Sequence, residues 1–255
     1  MFVPAMLPEN VREAVRELLG TGMSDYEMAR RVGISRATVN RWRTVGIPVP
    51  IKEVTVNPAE WSLVERIDYA YLLGLYLGDG YIGTHPRSHS LVIALDAQYE
   101  ALIRECVEAV TTFAPLEPAI HRPKGTNGLR VVSYASAWPK FFPQHGPGYK
   151  HSRKIRLVDW QQAIVNEFPR QLLRGLIHSD GSRCDNHFTV NLNSGPKEYS
   201  YPRYFFTNYS EDIRKIFTDT CDQLGIRWSQ SNWRNISISH RDSVARLDSF
   251  IGPKT

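Results

Sequence analysis

Two apolar segments of this chain have nearly the same pattern, and each ends in Asp-Gly. Residues 72–80 read Leu-Leu-Gly-Leu-Tyr-Leu-Gly-Asp-Gly, and residues 173–181 read Leu-Arg-Gly-Leu-Ile-His-Ser-Asp-Gly. In both segments a small residue recurs four positions after a glycine, which places the two on one face of a helix. A duplicated helix that ends in a carboxylate predicts two similar halves that present two acids side by side.

The apolar and polar positions around these segments predict one order of elements in each half: helix, strand, strand, helix, strand, strand, helix. The predicted fold class is therefore α+β, a duplicated αββαββα unit. In the first half, strands are expected near Tyr81 and over 91–95, 119–122 and 129–134, with helices ending at Asp79, over 99–110 and around Trp138. In the second half, a helix is expected from Trp160 to Asp180, kinked or divided at Pro169, with strands over 187–192, 203–207, 226–229 and 235–239 and helices over 210–224 and 241–250.

The start of the chain has a shorter, purely helical pattern. Residues 8–20 have helical apolar spacing, and Ser24-Asp25-Tyr26-Glu27 is a capping-box signature that opens a second helix ending at Gly33. Ser35 is placed to cap a third helix that reaches about Arg43. The predicted domains are a helix-turn-helix domain over 1–47, a linker over 48–60, and the two repeats over 61–157 and 158–255.

Charge along the chain is uneven. The formal net charge is +5, and 22% of the residues are charged. No Asp or Glu occurs from Pro118 to Val158, whereas Lys and Arg recur, which predicts a surface that faces phosphates. The residues expected to face a phosphate backbone there are Arg122, Lys124, Arg130, Lys150, Arg153 and Lys154.

The cysteines and the apolar runs bear on the cellular setting. The 3 cysteines share no close spacing, so a disulfide framework and a cysteine-based zinc site are both disfavoured. The first residues lack the basic start and apolar run of a signal peptide, and no apolar run is long enough for a membrane span. The expected location is the cytoplasm, in association with the nucleoid.

The two Asp-Gly pairs carry the candidate chemistry. Glycine inside a helix costs about 1 kcal/mol relative to alanine, so Gly74 and Gly175 at matching places indicate two helices packed closely, with Gly78 and Ser179 extending the interface. Asp79 and Asp180 would then share the negative end of both helices, which favours a compensating divalent cation. A single Asp-Gly more often makes a turn, but two in matching segments favour a Mg²⁺ site at Asp79, Asp180, Gly78 and Ser179.

These segments resemble the two signature helices of the LAGLIDADG homing endonucleases in their single-chain, two-repeat form. The matching residues are Leu72, Gly74, Leu75, Asp79 and Gly80, then Leu173, Gly175, Leu176, Ile177, Asp180 and Gly181. Over roughly residues 67–253 the resemblance implies a monomer with internal pseudo-twofold symmetry, whose two antiparallel sheets form a saddle in the DNA major groove. It also implies Mg²⁺-dependent double-strand cleavage at Asp79 and Asp180. Polar residues that assist the chemistry in that family correspond by position to Gln98, Lys140, Asn208 and Arg241.

The N-terminal helices resemble another known pattern. Residues 33–39 are similar to the helix-turn-helix of resolvases and many bacterial regulators, and Ala29 is small at the place where two helices must approach. Arg pairs with guanine, Asn with adenine, and Ser or Thr with phosphate. The candidate DNA contacts are Ser35, Arg36, Thr38, Asn40, Arg41 and Arg43.

The function expected from the sequence is site-specific cleavage of double-stranded DNA, with Mg²⁺ as cofactor. Two alternatives stay open. One is a transcription regulator that keeps the fold as a DNA clamp without cleaving, which the appended helix-turn-helix favours. The other is an RNA-splicing maturase, since the LAGLIDADG family includes splicing cofactors.

Overall fold

The computed structural model describes residues 7–48, 56–252 and 254. The chain divides into two compact units, Met1–Lys52 and Glu53–Thr255. The predicted linker over 48–60 lies largely outside the described residues, and its described end contains a short 3₁₀ helix, Pro58–Glu60.

The first unit contains three helices, α1 (Glu9–Leu19), α2 (Asp25–Val32) and α3 (Arg36–Val45). The capping box at Ser24 and Glu27 is present as predicted. Gly33 follows α2 with φ 74°, in the left-handed region that glycine tolerates, and this reverses the chain before Ser35 caps α3. Met28 and Val39 are fully buried, and together with Ala29 they form the core of this unit.

The second unit contains the duplicated order of elements. Its first half consists of α4 (Leu63–Asp79), β1 (Gly80–His85), β2 (Ser88–Asp96), α5 (Glu100–Phe113), β3 (Ala119–His121), β4 (Gly128–Tyr134) and α6 (Trp138–Phe141). Its second half consists of α7 (Asp159–Glu167), α8 (Pro169–Asp180), β5 (Gly181–Leu192), β6 (Gly195–Thr207), α9 (Glu211–Gln223), β7 (Ser229–Asn232), β8 (Asn235–Ile238) and α10 (Arg241–Asp248).

Each half forms one four-stranded antiparallel sheet. The strand orders are β1-β2-β4-β3 and β5-β6-β8-β7, so the two sheets have the same topology. The predicted α+β class with two antiparallel sheets is therefore confirmed. Pro169 occupies the first turn of α8, where proline is tolerated, and it divides the helix that the sequence pattern extended from Trp160 to Asp180.

Two strand predictions were wrong in extent. The strand expected over 226–229 begins only at Ser229, because Ile226 is buried after the left-handed Gly225 and its amide donates to the carbonyl of Cys221. The hairpin of β5 and β6 is much longer than the predicted 187–192 and 203–207. Its added residues are largely exposed, so they lack the apolar alternation from which a strand is predicted.

The core of the second unit lies between the signature helices and the inner faces of the two sheets. Leu73, Leu75, Leu173 and Leu176 are fully buried there. Among the residues that the structure describes, none of the helices has the length and apolar character that crossing a membrane requires.

Candidate functional site

The helices α4 and α8 cross where their glycines lie, as the sequence predicts. A Cβ atom on Gly74 would lie 2.5 Å from the carbonyl oxygen of Leu172 and 2.7 Å from the amide nitrogen of Leu176. A Cβ on Gly175 would overlap the carbonyl oxygen of Tyr71 and lie 3.0 Å from the Cα of Gly74. The two backbones are therefore in direct contact, and any side chain at either position would separate them.

The contact between the helices continues to their C-terminal ends. A Cβ on Gly78 would overlap the side chain of Ser179 and lie 3.1 Å from Oδ2 of Asp180. The hydroxyl of Ser179 turns back and donates to the carbonyls of Gly175 and Leu176, each at 3.0 Å. This close approach places Asp180 against the last turn of α4, next to Asp79.

Both acids lie where their charged forms are disfavoured. Burial, and then the charge of Asp180, raise the pKa of the Asp79 carboxyl to about 6. Burial also raises the pKa of Asp180, although the amide of Asn208 opposes this by donating to Oδ2 at 2.5 Å. Two carboxylates disfavoured in their charged form, at the negative ends of two helices, make a site that a cation would stabilise.

Lys150 supplies one positive charge at this site. Its Nζ donates to the carbonyl oxygens of Tyr76, Leu77 and Gly78, at 2.6, 2.7 and 2.6 Å. Burial lowers the pKa of Lys150 to about 8, against the opposing charges of Asp180 and Asp79. The sequence pattern placed Lys150 along a DNA backbone, but all three of its protons are used on carbonyls in the last turn of α4. Of these carbonyls, that of Tyr76 also accepts from the amide of Gly80.

Lys254 supplies a second positive charge, at the end of the other helix. Its Nζ lies 2.5 Å from the carbonyl oxygen of Gly181 and 3.5 Å from that of Ser179. Burial lowers its pKa, while Asp79 and Asp180 act in the opposite direction. Lys254 is not among the residues predicted from the sequence, although Gly-Pro closely precedes both lysines, at residues 146–147 and 252–253.

Four residues were predicted to assist the acids in catalysis, and of these Asn208 contacts an acid, Asp180. The amide of Gln98 instead donates to Asp96 at 2.9 Å. Lys140 is exposed on α6, and Arg241 is exposed at the start of α10. Their role in catalysis stays a prediction.

The loop that leads to Lys150 is held by Arg153. Its guanidinium donates to the carbonyl of Gln144 at 3.0 Å and to that of Gly148 at 2.6 Å. Lys154 forms an exposed ion pair with Asp212 at 3.7 Å. Among the cations expected to face DNA, Arg122, Lys124 and Arg130 are exposed. Arg153 is half-buried, because its guanidinium is bonded to carbonyls of the loop.

A surface cleft of about 290 Å³ opens beside Asp180, and its lining also includes Gly78, Lys150, Asn208 and Tyr209. Tyr149 and Tyr209 are exposed at its rim. A phosphate group of an extended ligand could therefore approach Asp180 from solvent.

The donor atoms at the two helix ends suit a hard divalent cation. Among the described residues, no group of three or more His, Cys, Asp and Glu side chains could hold a metal. Two carboxylates fit Mg²⁺, which keeps several waters and is commonly bound by one or two carboxylates together with substrate phosphates. The carbonyl of Gly78 already accepts a hydrogen bond from Lys150, so the carboxylates of Asp79 and Asp180 are the better ligands.

In the first unit, part of the predicted DNA-contacting face of α3 is bound to α2. The amide of Asn40 donates to Asp25 at 3.0 Å, and Nε of Arg43 donates to the same carboxylate at 2.8 Å. These two bonds lower the pKa of Asp25. Ser35 caps α3 through the amide and hydroxyl of Thr38, while the remaining predicted contacts, Arg36 and Arg41, are exposed.

Known structures with a similar fold were found, all at low sequence identity. The chain is similar to I-DmoI in complex with DNA and Mn, at 16% identity over 74% of this chain and 98% of that chain, with a TM-score of 0.49. It is similar to the N-terminal LAGLIDADG domain of DUF199/WhiA, at 16% identity over 80% and 88% of the two chains, with a TM-score of 0.47. It is similar to I-WcaI bound to its DNA recognition sequence, at 14% identity over 77% and 85%, with a TM-score of 0.49.

No family model and no curated protein matches this sequence. Because the identities are low and these three TM-scores lie below 0.5, the fold assignment rests on the strand orders and helix packing described above.

Proposed function

We propose that this protein is a divalent-cation-dependent DNA endonuclease of the LAGLIDADG type. One observation carries the proposal: the ends of two duplicated helices bring Asp79 and Asp180 together in an environment that raises the pKa of both acids, and Asp180 lines an open cleft. Carboxyl groups with perturbed pKa values cluster at functional sites, and a cation would relieve the repulsion between two that lie close together.

The chain's own residues have separable roles in this proposal. Asp79 and Asp180 would hold Mg²⁺, and Asn208 fixes the orientation of Asp180. Lys150 and Lys254 hold the helix ends and offset part of the acids' mutual repulsion. When bound, the cation would activate water and stabilise the oxygen that leaves the phosphodiester.

The shape of the β5–β6 hairpin supports an extended duplex as substrate. Tyr204 and Phe206 face the core, so the alternate residues of β6 form an outer hairpin face with Lys197, Tyr199, Tyr201 and Arg203. The hairpin has two acidic residues, Asp185 and Glu198. Asp185 pairs with Pro202, and both Pro202 and Glu198 lie an even number of residues from Tyr204 along β6. Both acids therefore lie on the face of Tyr204, opposite the outer hairpin face. A face with cations and aromatic rings, from which the acids are segregated, suits a phosphate backbone and base edges.

The proposal is tested by selecting cleavage sites from randomised duplex DNA in the presence of Mg²⁺. We expect one enriched sequence, cut in both strands, and no cutting after chelation of divalent cations. Binding should weaken steeply as salt rises, since phosphate contacts release counterions. Tight, specific binding without any nicking would contradict cleavage.

That contrary outcome would favour the second candidate, a DNA-binding regulator on the same fold. The observation in its favour is the separate three-helix unit with exposed Arg36 and Arg41 on α3. Preferential binding of intron RNA over duplex DNA would instead indicate a splicing cofactor.

The two halves are expected to cover unequal lengths of DNA. The strand β5 has 12 residues, whereas its counterpart β1 has 6. At about 3.3 Å per residue the extra length is about 20 Å, which corresponds to roughly six base pairs at 3.4 Å each. We therefore predict that replacing residues 187–200 with an Asn-Gly turn shortens the hydroxyl-radical footprint by about six base pairs on one side of the cut.

A pair of point variants provides the matched control for that footprint. Lys197→Ala, on the outer hairpin face, should weaken binding, whereas Glu198→Ala, on the opposite face, should leave it unchanged or tighten it. An unchanged footprint in the shortened variant would exclude the hairpin as a DNA contact.

A further inference from the structure

The segment that follows α10 is hydrogen-bonded to α8 through one carbonyl group, that of Ile251. Nε of Arg174 donates to the carbonyl oxygen of Ile251 at 3.0 Å, and Nε2 of His178 lies 2.9 Å from the same oxygen. The side chain of Ile251 is 1% exposed and packs in the core. Residues 250–252 are therefore held by both an apolar anchor and two polar contacts.

The hydrogen bonds of His178 fix which ring nitrogen carries the proton. A carbonyl oxygen can only accept, so Nε2 is the protonated nitrogen, and Nδ1 accepts from the hydroxyl of Tyr71 at 2.9 Å. Burial and the charge of Arg174 lower the pKa of His178 to about 4, with Glu105 acting in the opposite direction from 4.0 Å. The ring is neutral and satisfied on both nitrogens.

This arrangement belongs to the second half alone. The first signature helix has Leu77 where the second has His178. Lys150, the counterpart of Lys254, reaches its helix end through a loop that Arg153 ties to the carbonyls of Gln144 and Gly148. The two halves thus bring a lysine to the same kind of place by different means.

We propose that His178 and Arg174 form a latch that holds the carbonyl of Ile251 and thereby positions Lys254 at the two acids. His178 and Arg174 are positioning residues, since they act on the site through the backbone three residues before Lys254. The consequence for catalysis rests on the proposed function; the latch itself does not.

The latch is tested without DNA by trace acetylation of lysine amines, quantified by mass spectrometry on the full-length protein. In His178→Leu, which copies the residue of the first helix, Lys254 should be acetylated about tenfold faster, the effect of losing one buried hydrogen bond. Lys150 is the internal reference and should keep its parental rate. His178→Gln retains an N–H donor and should restore most of the protection.

Two outcomes would overturn the latch. One is an unchanged acetylation rate at Lys254 in a folded His178→Leu protein. The other is an equal rise of the acetylation rates at Lys150 and Lys254, which would indicate that the whole fold is destabilised. If His178→Leu does not fold, Arg174→Met removes the other donor and is judged by the same two lysines.

Cleavage measurements separate this proposal from the proposed function. In single-turnover reactions, His178→Leu should slow cutting in the parent background and have no further effect in a Lys254→Met background, because the latch acts through that lysine. Equal slowing in both backgrounds would contradict the positioning role. A parent that never cuts DNA would refute the endonuclease, while the acetylation rates would still decide the latch.

Discussion

Asp79→Asn and Asp180→Asn are each expected to reduce DNA cleavage by on the order of a thousandfold or more while duplex binding stays close to that of the parent. The amide has the shape of the carboxyl group but lacks the anionic oxygens that a hard divalent cation requires. Cleavage of a selected duplex is measured under single-turnover conditions with Mg²⁺, and binding by fluorescence anisotropy. Parental cutting by either variant would show that the acid pair is not the catalytic centre.

A measurement of stability distinguishes a loss of cleavage from a loss of folding in these variants. The pKa of Asp79 is raised from 3.8 to about 6 in the folded protein, so the contribution of Asp79 to the stability of the parent falls as the pH rises from about 4 to about 6. Without divalent cations, Asp79→Asn should therefore melt at a higher temperature than the parent above pH 6, and the gain should vanish near pH 4.

Asp248→Asn is the matched control with the opposite sign. The bonds from Arg183 and Tyr204 lower the pKa of Asp248, so the charged form stabilises the fold, and the amide variant should melt at a lower temperature at neutral pH. A lower melting temperature for Asp79→Asn as well would contradict the electrostatic account of the acid pair.

The sequence was informative wherever a local rule determines the structure. The duplicated segments predicted the helix crossing because only glycine permits backbones so close, and the capping box at Ser24 predicted the start of α2 because its bonds are local. The same reasoning predicted a divided helix at Pro169.

Long-range contacts and exposed strands were beyond such rules. The carbonyls that bind Lys150 lie more than seventy positions away in sequence, so charge composition alone suggested a DNA-facing role for this lysine. Hydrophobic alternation missed residues 181–186 of β5 and 195–202 of β6, because these are largely exposed and alternation reveals a strand only where one face is buried. Asn40 and Arg43 were assigned to DNA from residue type, whereas Asp25, fifteen and eighteen positions before them, receives their hydrogen bonds.

Gly175→Ala, at the crossing of α4 and α8, is expected to lower the free energy of unfolding by about 3 kcal/mol. In an exposed helix the same change would stabilise by about 1 kcal/mol, so the sign of the result reports the packing. The added methyl group would overlap the carbonyl of Tyr71, a backbone atom that moves only if α4 and α8 separate. Gly74→Ala should behave alike, because its methyl group would lie 2.5 Å from the carbonyl of Leu172.

Gly128→Ala is the control for that prediction within the same unit. Its nearest neighbour would be Oγ1 of Thr126 at 3.5 Å, an ordinary contact, so urea denaturation should show little change. If Gly175→Ala instead unfolds at the parental urea concentration, the helices do not touch at this glycine. Separation of the helices would also move Asp180 away from Asp79, so the same variant should lose cleavage even at temperatures where it remains folded.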